Sequence, residues 1–207
     1  MEDDHRKLKT TAIVLAGGSG HRMKSSVKKQ FMPLGGKPLL FYPLEAFQKS
    51  DYIDRIVLVT GADETEYCRR EIKERFLFDK ISEITAGGAE RYDSVYRGLT
   101  VCGSDTDIVF IHDGARPFVT CEMIRRSYDA AAEYQACTVG MPVKDTIRIA
   151  DTSGFSLQTP DRSSVWQIQT PQTFRYSLAL EAYRRLEESG CCGSDGSRLH
   201  ITDDDMV

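Results

Sequence analysis

A mostly parallel β-sheet covered by helices, an α/β fold, is predicted by two features of this sequence. Short apolar runs alternate with amphipathic stretches along most of the chain. At 207 residues, with 41% hydrophobic and 28% charged residues, the chain is long enough to bury one sizeable core and too apolar to remain disordered.

The elements follow in order. Residues 1–10 are read as a charged, flexible leader, and residues 11–207 as a single domain. Strands are expected at Thr11–Leu15, Ile56–Thr60, Ile81–Thr85, Ile108–His112 and Thr138–Val143. Helices are expected at Pro38–Gln48, Glu64–Phe76, Asp93–Val101, Cys121–Tyr134 and Tyr176–Ser189. Pro38 suits a first helical turn, which needs no amide hydrogen. Thr120 suits the N-cap of the fourth helix.

The rhythm breaks at residues 144–170. Thr146-Ile147-Arg148-Ile149 and Val165-Trp166-Gln167-Ile168-Gln169 alternate as exposed strands do, around the turn-prone Asp151-Thr152-Ser153-Gly154. The expectation is a protruding β-arm. Since an isolated hairpin is marginal in water, a partner subunit is the natural surface for it. The chain stops at Asp203-Asp204-Asp205-Met206-Val207 without a closing strand or helix, as if it continued.

Several classes are excluded or disfavoured. Net charge is −4 with acids and bases interleaved, which argues against a nucleic-acid-binding protein. Met1–Lys9 has no apolar h-region, so it is no signal peptide, and no run approaches the ~20 apolar residues of a membrane span. The six cysteines show no C-x-x-C pair, which disfavours zinc and suits free thiols in a reducing cytoplasm.

Three loops carry the chemistry. Ala12-Ile13-Val14-Leu15 runs into Ala16-Gly17-Gly18-Ser19-Gly20-His21-Arg22-Met23, a strand followed by glycines whose amides make an anion-binding nest. Met23 occupies the position of the third glycine in a dinucleotide fingerprint, and the second strand ends at Val59-Thr60-Gly61 without a ribose-binding acid. The same Met23 breaks a P-loop. What remains is a glycine nest followed by His21, Arg22, Lys24, Lys28 and Lys29, a cationic loop suited to a triphosphate.

The fourth strand leads into Asp113-Gly114-Ala115-Arg116-Pro117-Phe118. Ligands in open α/β sheets bind beyond the carboxyl ends of strands, so Asp113 lies where a Mg²⁺ bridging phosphates would be held. Arg116 could instead form a structural ion pair with Asp113. His112 reads as a packed strand-end histidine, since no second histidine has ligand spacing. The third loop, Ala86-Gly87-Gly88-Ala89-Glu90-Arg91-Tyr92-Asp93-Ser94, brings two glycines to a helix start, allowing close approach to a base or ribose.

These segments, with Lys29-Gln30-Phe31, Lys144-Asp145-Thr146, Thr159-Pro160-Asp161-Arg162, Trp166-Gln167-Ile168-Gln169-Thr170-Pro171-Gln172-Thr173-Phe174 and Ile201-Thr202-Asp203-Asp204, resemble the 2-C-methyl-D-erythritol 4-phosphate cytidylyltransferase family. The resemblance spans Thr11 to Val207. It implies a Rossmann-like domain, a homodimer held by swapped arms, a divalent cation, usually Mg²⁺, and transfer of the cytidylyl group of CTP to methylerythritol phosphate in the non-mevalonate isoprenoid pathway.

Residue by residue, it implies Arg22, Lys29 and Arg162 as catalytic groups and Asp113 as the metal ligand. Ala16, Gly17, Gly18, Ser19, Gly20, Gly88, Ser94 and Gly114 are implied for CTP. Thr146, Arg162, Thr170, Thr202 and Arg116 are implied for methylerythritol phosphate, with Arg162 reaching across from the partner. Gly114 stands where alanine is commoner, a change expected to be mild, and Ala89 where some members carry an acidic or polar residue. The family continues past this terminus with a strand bearing a substrate-positioning lysine. The alternatives are a ribitol 5-phosphate cytidylyltransferase of the same fold and, from another class, a non-catalytic nucleotide-binding protein.

Overall fold

The computed structural model describes residues 7–18, 27–192, 201 and 203–207. A six-stranded sheet with order β5-β4-β1-β6-β10-β7 organises the chain. Its strands are β1 (Thr10–Ala16), β4 (Arg55–Thr60), β5 (Ile81–Ala86), β6 (Ile108–Asp113), β7 (Ala136–Pro142) and β10 (Trp166–Arg175). β1, β4, β5 and β6 pair in parallel; β10 runs antiparallel to both β6 and β7.

Alternation along these strands feeds two cores. Ala12, Val14, Leu58 and Phe110 face one side, where α1 (Phe41–Lys49) and α4 (Cys121–Tyr134) contribute Leu44, Phe47, Ile124 and Ala131. Ile13, Val57, Val59 and Val109 face the other, where α3 (Arg91–Thr100) and α5 (Tyr176–Glu188) contribute Val95, Leu99, Ala179 and Leu186. Helices therefore cover both faces, as the sequence predicts. Thr120 caps α4, its side chain accepting the Met123 N–H at 3.2 Å.

Several boundaries differ from expectation, each for a local reason. The domain reaches back into the supposed leader: Thr10 is buried in β1, and the Lys9 carbonyl accepts from the Asp107 and Ile108 amides. Pro38 is not in a helix. Gly35 and Gly36 adopt φ of 56° and 82°, closing a tight ribbon between β2 (Pro33–Leu34) and β3 (Lys37–Pro38), and Pro43 is the proline in the first turn of α1. The expected helix Glu64–Phe76 is a 3-10 turn, one α-turn α2 (Thr65–Tyr67) and a π-helix, Cys68–Glu74. There the Arg75 N–H bonds the Arg70 carbonyl five residues back, and Cys68 and Ile72 both enter the core.

The expected arm is also redrawn. Trp166–Ile168 pairs with Gly140–Pro142 of β7 and belongs to the main sheet, because β10 is one long strand continuing through Thr170 to Arg175. Ile149–Ala150 (β8) pairs with Ser156–Gln158 (β9) across the Asp151–Gly154 turn, and both short strands are exposed. The arm is thus residues 143–165. Among the described residues, no helix is long and apolar enough to cross a membrane.

Candidate active site

The carboxyl ends of β1 and β6, with the loop after β5, frame a cavity of about 760 Å³, the switch-point location expected of a doubly wound sheet. Ala16, Gly17, Gly18, Lys29, Gly88, Ser94, Asp113 and Arg116 all line it. These eight residues, from segments far apart in sequence, are brought together on one cavity. Ser19, Gly20, Arg22 and Thr202 lie outside the described residues.

A side chain would be crowded at Gly17 and Gly88, whereas Gly18 has open space around it. A Cβ on Gly17 would stand 3.3 Å from the Thr60 carbonyl, and one on Gly88 would overlap the Asp93 Cβ at 2.2 Å. Gly88 donates its N–H to Ser94 Oγ at 3.1 Å, and Gly87 donates to the Thr60 carbonyl at 2.8 Å. The β5–α3 loop is thereby held flat against the start of α3. Its N-terminus is closed by the Glu90 N–H donating to Asp93 at 3.0 Å.

The sequence assigns Gln30 no role. It is 3% exposed, and its Nε2 donates to the carbonyls of both Ala16 and Gly18, fixing the first peptide planes of the glycine loop. An amide between a lysine and a phenylalanine carries no periodic signal that would have marked it. Lys28 is drawn away from the cavity by Glu64 at 2.5 Å. Among the described residues lining the cavity, Lys29 alone is a cation without a carboxylate partner.

Asp113 sits between two guanidiniums. Oδ1 accepts from Arg91 Nε and Nη2, both at 3.3 Å, and Oδ2 accepts from Arg116 Nε at 2.8 Å. Burial works against its charge, but Arg91 and Arg116 outweigh it, so the carboxyl is held below its usual range and stays ionised. Arg91 in turn pairs with Asp204, whose carboxylate also accepts from Tyr183 Oη. Neither Arg91 nor Asp204 was singled out in sequence, since each reads as an ordinary loop charge until the fold joins them.

Some expected site residues have other employment. Gly114 is buried, its N–H donating to the Leu15 carbonyl at 2.8 Å. That amide is not available to CTP. A Cβ there would stand 2.9 Å from the same oxygen and 2.8 Å from Leu40, so alanine would not be mild in this chain. Thr170 is also buried: its hydroxyl lies 2.9 Å from His112 Nδ1 and accepts the Asp113 N–H at 3.3 Å. It sets the Asp113 backbone instead of facing the cavity. Thr146 and Arg162 are exposed on the arm and do not line the cavity; Arg162 donates to the Lys144 carbonyl at 3.0 Å.

His112 is the packed histidine expected. It is 1% exposed, edge-on to Phe47, with Nε2 3.1 Å from the Arg116 carbonyl. One consistent proton assignment has Nε2–H donating to that carbonyl and Nδ1 accepting from Thr170. Burial lowers its pKa from 6.5, only partly opposed by the Arg116 carbonyl. The unfolded chain therefore takes up a proton below about pH 6.5 that the folded chain declines, so stability is full above that pH and falls as pH drops below it. Urea midpoints are expected to be lower at pH 5 than at pH 7.5, with the gap narrowed in His112→Asn; equal gaps in both chains would show that other groups set it.

The 2-C-methyl-D-erythritol 4-phosphate cytidylyltransferase profile matches residues 10–201. The chain belongs to this family. A protein of that name from Caldanaerobacter subterraneus subsp. tengcongensis is 45% identical over 93% of this chain and 85% of its own length. One from Lachnospira eligens is 47% identical over 95% of this chain and 83% of its own length. The crystal structure of a 4-diphosphocytidyl-2C-methyl-D-erythritol synthase from Anaerococcus prevotii superimposes with a TM-score of 0.81 at 28% identity, covering 97% of this chain and 81% of that one. Members of this family share the fold in which the cavity lies.

Proposed function

We infer that this chain transfers the cytidylyl group of CTP to 2-C-methyl-D-erythritol 4-phosphate, releasing 4-CDP-2-C-methyl-D-erythritol and pyrophosphate. The observation that carries the reading is the convergence of Gly17, Gly18, Lys29, Gly88, Ser94 and Asp113 on one cavity at the carboxyl edge of the sheet. Family membership supplies the substrate class.

The reaction asks little covalent chemistry of the protein. An oxygen of the methylerythritol phosphate attacks the α-phosphorus of CTP in line, the bond to the β-phosphate breaks, and pyrophosphate leaves. A phosphate monoester is already anionic, so the residues need only position it and offset the charge gathering at the transferring phosphorus. Lys29, exposed at the cavity and without a carboxylate partner among the described residues, supports this reading; by the resemblance Arg22 would share the role. Gly17 and Gly18 give the triphosphate close access to backbone. Gly88 and Ser94, joined by a hydrogen bond, form the surface for the cytosine.

Asp113 fits a divalent cation of the Mg²⁺ type: it is an ionised oxygen donor, and such ions bind through one or two carboxylates plus substrate phosphates. Among the described residues no cluster of three or more His, Cys, Asp or Glu side chains forms a protein-only cage. Such a cation, bound there, would neutralise phosphate charge.

We further read the protein as a cytoplasmic homodimer. Thr146 and Arg162 stand on an exposed arm away from the cavity, where they serve methylerythritol phosphate through a second chain's site. Arg116, lining the cavity and half-exposed, is the group on this chain nearest in chemistry to that role.

Ribitol 5-phosphate is the closest competing acceptor. With CTP and Mg²⁺, faster turnover is expected on 2-C-methyl-D-erythritol 4-phosphate than on ribitol 5-phosphate. The reverse order would assign the chain to the other alditol.

A further inference from the structure

We propose that Gln30 is a positioning residue for the triphosphate. Its side-chain amide joins the glycine loop after β1 to the turn that carries Lys29, so the two halves of the phosphate grip are set relative to each other before substrate arrives. This rests on the reading of the cavity as a CTP site given above.

Two carbonyls meet one amide. Gln30 Nε2 lies 2.5 Å from the Ala16 carbonyl oxygen and 3.1 Å from that of Gly18. Both are acceptors, so the nitrogen and not Oε1 faces them, and both its protons are used. A trans peptide unit is planar, with its C=O and N–H pointing in opposite directions. Holding the Ala16 carbonyl therefore also fixes the direction of the Gly17 N–H. Holding the Gly18 carbonyl keeps that oxygen bonded inside the protein, away from phosphate oxygens that would repel it.

The two glycines differ in what else holds them. Gly17 lies close against the end of β4, where a Cβ would stand 3.3 Å from the Thr60 carbonyl. At Gly18 no described atom lies within 4 Å of the corresponding position. An unpacked glycine has the most backbone freedom of any residue, and the bond from Gln30 restrains it.

Gln30 is itself anchored. Its carbonyl accepts the Leu40 N–H at 2.9 Å, and the next residue, Phe31, packs on the core and edge-on to Tyr67 with ring centres 5.1 Å apart. On the other side of Lys29, Lys28 pairs with Glu64, whose second oxygen accepts the Gly61 N–H at 3.1 Å just beyond β4. Lys29 thus stands in a turn clamped on both sides, and Gln30 carries that rigidity into the glycine loop.

The test is binding of CTP and of cytidine, which lacks the phosphates, to the parent chain and to Gln30→Met, with thermal unfolding of each. Methionine is of similar length and has no donor. Gln30→Met is expected to weaken CTP by about tenfold, what one or two ordinary hydrogen bonds contribute, and to leave cytidine unchanged. Equal weakening of both ligands would make Gln30 a support of the fold alone, and unchanged CTP would deny it any part in phosphate binding; either result overturns the proposal. In turnover, Gln30→Met is expected to cost less in a Lys29→Ala chain than in the parent, because the cation it aligns is already gone. A fully multiplicative loss would overturn the coupling of loop and turn.

If Gln30→Met does not fold, Gln30→Asn decides by the same comparison of CTP with cytidine, since it keeps the donors but is one methylene too short for both carbonyls. A parent chain that does not bind CTP would refute the reading of the cavity itself, whereas CTP bound equally by parent and variant would refute only the role of Gln30.

Discussion

Lys29→Ala is expected to lower turnover by about 10²–10³-fold, the usual cost of removing one preorganised charge-stabilising donor, while the protein still folds. Lys29 lies in a one-turn 3-10 helix, Lys29–Phe31, whose neighbours have separate structural duties. Gln30 is tied to the Ala16 and Gly18 carbonyls, and Lys28 to Glu64. Among the described residues the Lys29 ammonium has no carboxylate partner, so its removal breaks no ion pair there. Because charge gathers on the α-phosphorus as the reaction proceeds, the loss should appear chiefly in kcat. Steady-state kinetics with matched thermal unfolding check this. A chain that loses its fold, or one that keeps its turnover, would show Lys29 to be structural or incidental.

An Arg162→Ala chain is expected to be inactive alone and to recover when mixed with Lys29→Ala. Arg162 sits on the exposed arm beside the Lys144 carbonyl, outside the cavity that Lys29 lines. If each active site joins Lys29 of one protomer to Arg162 of the other, a mixed dimer has one intact site and one doubly damaged site. Random mixing makes half the dimers mixed, so about a quarter of all sites regain both groups. Co-refolding the two variants and measuring turnover distinguishes the arrangements. No recovery would mean that Lys29 and Arg162 serve the same site within one chain, or separate ends.

The strongly periodic parts of the fold were legible. The four parallel strands and helices α3, α4 and α5 fall within a few residues of expectation because each buries a regular apolar face. The loops at the carboxyl ends of β1, β5 and β6 were legible as a site because glycines and a carboxylate recur where an α/β sheet binds ligands. Less legible was anything set by a partner distant in sequence. Thr170 looked like a substrate-facing hydroxyl in an exposed strand, yet β10 carries it between β6 and β7, where it meets His112. Gly114 was implied for CTP by the resemblance, but its amide is tied to Leu15 on the neighbouring strand. Arg91 and Asp204 are separated by 113 positions, and nothing local in either segment announces the pair. Pro38 was misassigned for a local reason: Gly35-Gly36 turns the chain before the helix starts.

The central claim, transfer of the cytidylyl group with release of pyrophosphate, is tested most directly by following the label from two forms of CTP in the presence of Mg²⁺ and 2-C-methyl-D-erythritol 4-phosphate. With ³²P in the α-phosphate, the label is expected in the CDP-alditol; with ³²P in the γ-phosphate, in pyrophosphate. Label from the γ-position appearing in orthophosphate or in the alditol product, or no alditol-dependent release at all, would contradict the account.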